Sequence, residues 1–131
     1  MEEIEVVPDL KKGWVILMMT GDQGDSYSNF IIARALHTGT GLPDGVVKNW
    51  ILAFKKYSEI IEDRTEIGTP IYMLMQYQAE MKTTGGHGLK IDHTAAAEFY
   101  EWAAEEATNA MKGKQAAKYY EMAEISWGMV E

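Results

Sequence analysis

Three pairs of glutamates stand one helical turn apart, Glu59 with Glu62, Glu98 with Glu101 and Glu121 with Glu124. Two carboxylates on adjacent turns can share a hard cation such as magnesium. His87, Asp92 and His93 flank a glycine-rich run and would make a metal or acid–base site if that run folded back on itself. Asp22, Gly24 and Ser26 alternate like the start of a calcium loop, yet the sixth-position glycine and the closing glutamate are missing. The run Gly85-Gly86-His87-Gly88 lacks the spacing, and the lysine followed by a hydroxyl, of a phosphate-binding loop. With no cysteine in 131 residues, a thiolate metal site, a cysteine nucleophile and a disulfide framework are all excluded.

The paired glutamates resemble the magnesium-holding Glu-x-x-Glu of all-α nucleotide pyrophosphohydrolases. That resemblance implies a metal-dependent hydrolase of nucleoside triphosphates. The sequence departs from the pattern in having no following Asp on a second helix and no basic cluster to hold a triphosphate. A ferritin-like di-iron site would want Glu-x-x-His twice, and none of His37, His87 or His93 stands three residues after a glutamate.

A second set of residues speaks for binding. Glu98, Glu101 and Glu105 line one face of a predicted helix that has no Lys or Arg between Ala95 and Ala110, a stripe suited to a basic partner or to imitating nucleic-acid phosphates. The C-terminal part is crowded with aromatics: Phe99, Tyr100, Trp102, Tyr119, Tyr120 and Trp127 exceed what one helical hairpin needs for its own packing. Trp and Tyr are enriched at contact surfaces. We therefore expect a partner-binding surface on Tyr100, Trp102, Tyr119, Trp127, Glu98, Glu101 and Glu105. The hairpin is similar to a single tetratricopeptide unit: Ala116, Tyr120 and Ala123 match the second helix of that family, and Tyr100, Ala103 and Ala104 the first. The turn glycine is displaced to Gly113 and no second copy lies upstream, so the similarity implies only a helical hairpin of the kind that docks onto other proteins.

The elements that must position these residues follow from punctuation and periodicity. Residues 1–8 read as an N-terminal arm, with a short strand possible. Residues 10–19 are apolar enough for either a short helix capped by Asp9 or a buried strand. A helix is predicted over 26–37, capped by Asp25 or Ser26. The next, opened by Asp44, carries Val47, Ile51, Phe54, Ser58 and Ile61 on its core stripe, with Trp50 and Tyr57 widening it and Lys48, Lys55, Lys56, Glu59 and Glu62 off it. Gly68-Thr69-Pro70 starts another that runs to about 83, with Thr69 as cap and Pro70 in the first turn; it carries Ile71, Leu74, Met75, Gln78 and Met81. Residues 84–91 form a glycine-rich loop or hinge.

Over 92–130 the sequence predicts an antiparallel hairpin of two helices joined at Lys112-Gly113-Lys114. Ala116, Tyr120, Ala123, Trp127 and Val130 form one seam of its last helix, and Met122, Ile125 and Met129 a second. The fold expected is all-α: a compact bundle of five or six helices, 1–131 as one domain.

Composition bounds the function. Twenty acidic against twelve basic residues give a net charge of −8, which repels phosphate backbones and argues against direct nucleic-acid binding. The acidic N-terminus has no signal-peptide form, and the longest apolar run, 14–19, is far short of the roughly 20 residues that cross a membrane. These features predict a cytoplasmic protein with no membrane contact. The reading that follows is a non-catalytic interaction or assembly module, binding another protein or itself as a homo-oligomer, with no catalytic residue, cofactor or metal assigned. Nine methionines add to the adaptable surface such a module would use. The alternatives are the pyrophosphohydrolase-like enzyme and an acidic inhibitor or regulator of a nucleic-acid-processing protein.

Overall fold

The computed structural model describes residues 10–130, in six α-helices: α1 (Leu10–Asp22), α2 (Ser26–Thr38), α3 (Trp50–Asp63), α4 (Ile71–Thr84), α5 (His93–Asn109) and α6 (Gly113–Gly128). The expected arm and strand over 1–8, and the Asp9 cap, lie outside them. Each helix packs chiefly on its neighbours in sequence, and the closest pairing is α5 with α6. The all-helical bundle and its C-terminal hairpin are as the sequence reads. Two buried clusters hold it: one joins α2, α3 and α4 through Ile32, Leu36, Tyr57, Ile60 and Leu74, and the other joins α4, α5 and α6 through Met75, Tyr100, Tyr119 and a set of alanines.

Local chemistry explains the boundaries. Asp25 caps α2, accepting hydrogen bonds at Oδ2 from Ser28 N at 2.9 Å and Ser28 Oγ at 2.5 Å, and these two bonds hold its carboxyl below the usual range. Gly39 ends α2 in the left-handed conformation, its N–H on Ala35 O. Pro70 occupies the cap position of α4 without a side-chain bond, so the helix opens one residue later than expected and Thr69 does not cap it.

Two expectations for α3 are corrected. Asn49, and not Asp44, caps it, its Oδ1 accepting from Leu52 N at 3.1 Å. The preceding segment is tied back to α2 by Asn49 N donating to Leu36 O at 3.1 Å, which leaves Val47 77% exposed and Ile51 outward. The core face is consequently Ala53, Lys56, Tyr57 and Ile60. Lys56, expected on the outside, is buried and donates to Asn29 Oδ1 at 2.9 Å, while Asn29 Nδ2 donates to Gly21 O at 3.1 Å. A buried ammonium is tolerated when it is hydrogen-bonded.

This relay depends on Gly21. A Cβ there would stand 2.4 Å from Asn29 Oδ1 and 3.2 Å from Ile32 Cδ1. Gly21→Ala is therefore expected to destabilise the chain by about 1–3 kcal/mol, despite alanine's better helix propensity. Urea unfolding of the two proteins side by side measures it, and an alanine variant as stable as the parent would remove the relay from the account.

The undecided run 10–19 is helical. Trp14, Leu17 and Met18 face the first cluster, while Val15, Ile16 and Met19 stay exposed. The glycine-rich run is a tight turn: Gly86 and Leu89 exchange both backbone hydrogen bonds, and His87 and Gly88 between them have φ of 49° and 92°. Two successive positive φ values are what a type I′ connection requires. The turn is fastened to α3, where Trp50 N donates to His87 O at 3.2 Å.

Candidate functional site: the outer face of the C-terminal hairpin

The inner face of the hairpin is built from small residues. Ala96, Ala97, Ala103, Ala104 and Ala107 on α5 and Ala116, Ala123 and Ser126 on α6 are buried. Asp92 caps α5 by accepting from Ala95 N at 3.0 Å. Residues 110–112 connect the two helices through Met111 in the left-handed region, so Gly113 opens α6 where it was expected to form the turn.

Two of the expected contact residues belong to the core. Tyr100 and Tyr119 are buried in the second cluster. The Tyr119 hydroxyl donates to Gln76 Oε1 at 2.6 Å and accepts from Gln115 Nε2 at 3.0 Å. Burial raises the pKa of both phenols. The inward seam of α6 is thus Ala116, Tyr119, Ala123 and Ser126, and the expected seam members Tyr120, Trp127 and Val130, with Ile125 and Met129 of the second, lie outward.

The remaining expected residues stay together on the outside. Trp102 is 48% exposed and Trp127 41% exposed. Trp102 stands four residues after Glu98 and three before Glu105, so the three share one stripe of α5 with both carboxylates exposed. Trp127 reaches across from α6, where its Nε1 donates to Glu101 Oε1 at 2.7 Å, a charge-assisted bond that fixes the indole's orientation. The resulting surface has two aromatic anchors set among carboxylates.

Behind Trp102 runs an aromatic ladder. Its ring meets Phe99 edge-to-face at 5.1 Å, Phe99 meets Phe54 in the same way at 5.3 Å, and Lys82 Nζ lies 4.8 Å from the Phe54 centroid. Beside the ladder a cavity of about 210 Å³ opens between α3, α4 and α5. Gln78 lines it, fully buried, and its Oε1 has no hydrogen-bond partner. Leaving such an acceptor unpaired costs about 1–3 kcal/mol. Sequence reasoning placed Gln78 on the core face of α4 without drawing on it, although an amide at a core step was the available signal.

The other candidate chemistries are not brought together. His87 packs its ring on Trp50 at 5.1 Å, Asp92 is spent as a cap, and His93 sits in the first turn of α5 beside Met129 and Val130. Among the described residues no group of three or more His, Cys, Asp or Glu side chains is placed to hold a metal ion. Among the same residues no helix is long and apolar enough to cross a membrane.

No family model matches the chain. In an alignment of 129 positions that takes in 92% of the chain, it is 36% identical to the eukaryotic elongation factor 2 kinases of Homo sapiens and Mus musculus, and in one of 125 positions that takes in 84% it is 29% identical to that of Caenorhabditis elegans. The match takes in 18% of each mammalian protein and 16% of the nematode one, so the chain spans under a fifth of the length of the curated relatives it resembles. The helical array with its aromatic and acidic hairpin is therefore similar in sequence to one portion of eukaryotic elongation factor 2 kinase.

Proposed function

We propose that the chain is a protein-docking module that acts through the outer face of α5 and α6, and that it serves an elongation factor 2 kinase-like system by holding a protein partner. The observation that carries this reading is the pair of half-exposed indoles, Trp102 and Trp127, on a hairpin whose inner face is already filled by alanines, Tyr100 and Tyr119. Large aromatics left over after the core is closed are the usual anchors of an interface. The carboxylates around them would supply steering and orientation toward a basic surface. The relatives are named for acting on elongation factor 2, which makes that protein the first partner to test. Self-association is the second.

The experiment is a binding titration of the complete chain against purified elongation factor 2, with sedimentation of the chain alone as a check for oligomers. Trp102→Ala and Trp127→Ala should each weaken the complex about 30-fold, corresponding to about 2 kcal/mol for an anchor residue. Circular dichroism should show the helices intact. A Glu98→Gln, Glu105→Gln double variant should slow association and flatten its salt dependence. Unchanged affinity in both tryptophan variants would remove this face as the docking surface.

A further inference from the structure

The cavity beside Trp102 has a composition that selects its occupant. Ile61, Met75 and Phe99 make its walls apolar, Trp102 forms part of its rim, and Glu62 brings a carboxylate to the edge. Its fully buried polar group is Gln78, with the part-buried Ser58 hydroxyl beside it. The amide nitrogen is fully engaged, donating to Phe54 O at 3.2 Å and to Ser58 Oγ at 2.7 Å, so the orientation of the amide is fixed and the oxygen is the free end. That oxygen is buried and unpartnered.

We propose that this groove receives an arginine side chain from a basic segment of a partner protein. Each feature matches one part of that side chain. The methylene stem would lie along the apolar walls, as long cationic side chains do when the head group can reach polar atoms. The guanidinium is planar, weakly hydrated and rich in donors, so it stacks on an indole while donating to more than one acceptor. The Glu62 carboxylate at the edge is the acceptor at hand, and Gln78 Oε1, which is covered in the unbound chain, becomes the second once the side chains over it move aside. The same ladder already shows the chemistry at its other end, where Lys82 sits over Phe54. The carboxylates of Glu98 and Glu105 on the Trp102 stripe complement the charge of the segment that would carry the arginine. A lysine fits less well, because a compact, strongly hydrated ammonium loses more on entering an apolar groove and cannot stack in the same way.

This inference rests on the docking role proposed above and adds a site and a residue type to it. The test uses the complete, isotope-labelled chain and three short peptides in a glycine–serine background, carrying two arginines, two lysines or two citrullines. The arginine peptide should shift the Trp102 indole signal and the Gln78 side-chain amide signals together. The lysine and citrulline peptides should bind at least about tenfold more weakly. Gln78→Met, which keeps the volume and removes the free oxygen, should cost the arginine peptide about tenfold in affinity; it also removes the bonds to Phe54 O and Ser58 Oγ, so the comparison is made at a temperature where circular dichroism shows the helices intact. Should that variant fold poorly, Glu62→Gln on the exposed rim provides the same comparison. Equal affinity for arginine and lysine peptides, or shifts scattered over the acidic face without Trp102 and Gln78, would overturn the proposal. So would no binding at all. The docking role is judged separately by Trp127→Ala, since Trp127 does not line the groove.

Discussion

Replacing Tyr57 by alanine is expected to remove about 3–5 kcal/mol of stability, a large part of what a chain of this size possesses. Tyr57 is 0% exposed, at the centre of the first cluster. Its ring meets His37 edge-to-face at 5.7 Å and Tyr77 at 5.8 Å, so deletion of the ring empties a site bounded by two other aromatics and by helices that cannot all close in. The hydroxyl lies 3.1 Å from His37 Nδ1. Burial pushes the phenol well above its ordinary pKa and pushes the imidazole below its own, with Glu80 partly opposing the second shift and Lys48 adding to it. Both groups are therefore neutral near pH 7, and the phenol can donate to an unprotonated Nδ1. Tyr57→Phe loses only that bond and should cost about 1 kcal/mol. Chemical denaturation of the three proteins separates the two contributions. An alanine variant that unfolds with the phenylalanine variant would mean that the ring carries little of the cluster's stability.

The helices were legible because their ends are chemically marked. Asp25 and Asp92 can each satisfy an orphan N–H of a following turn, and both do. What the sequence could not settle was rotation about a helix axis when the deciding partner is remote. Tyr119 and Tyr120 are adjacent and chemically alike, and a rotation of one residue exchanges them. Tyr119 faces inward, where Gln76, 43 residues away in sequence, accepts from its hydroxyl. The stripe of α3 went astray for the same reason. Lys56 reads as an outer residue until Asn29, 27 residues earlier, is placed against it. In α1 the obstacle was different: a helix whose apolar run includes both its packed and its exposed sides shows no period, so Trp14 and Ile16 look equivalent.

The site was legible in the same partial way. A surplus of aromatics can be counted from sequence, and the half-exposed Trp102, Tyr120 and Trp127 are that surplus. Which aromatics are the surplus cannot be counted, because each of Tyr100, Trp102, Tyr119 and Trp127 is large, amphipathic and near a helical seam. The distinction is made by the hydroxyl of Tyr119, which finds a part-buried partner in Gln76, and by the indole of Trp127, which finds Glu101 at the surface. The unpaired oxygen of Gln78 depends on three helices meeting, and its local signal is no more than an amide at a core step of α4.

The second large effect is expected along the alanine face that holds α5 and α6 together. Ala107→Leu should destabilise the chain by about 3 kcal/mol, the upper end of what overpacking costs, because Ala107 is fully buried in a cluster with Ala103, Ala104, Ala116 and Ala123. Helix axes approach to about 8 Å only where the contacting side chains are small, and a leucine at such a contact must push the pair toward about 10 Å or take a strained rotamer. The displacement would not stay inside. The bond from Trp127 Nε1 to Glu101 Oε1 spans the two helices at 2.7 Å, and it should break before the hairpin does. The Trp127 indole proton then reports the separation by nuclear magnetic resonance, in native conditions, while urea unfolding reports the stability. Ala117→Leu is the matched control: the same change on the exposed side of α6, expected within about 0.5 kcal/mol of the parent with the indole signal unmoved. If Ala107→Leu behaved like Ala117→Leu, the alanines would not set the interhelical distance. The outward placement of Trp127 would then have to be fixed by the connection at 110–112.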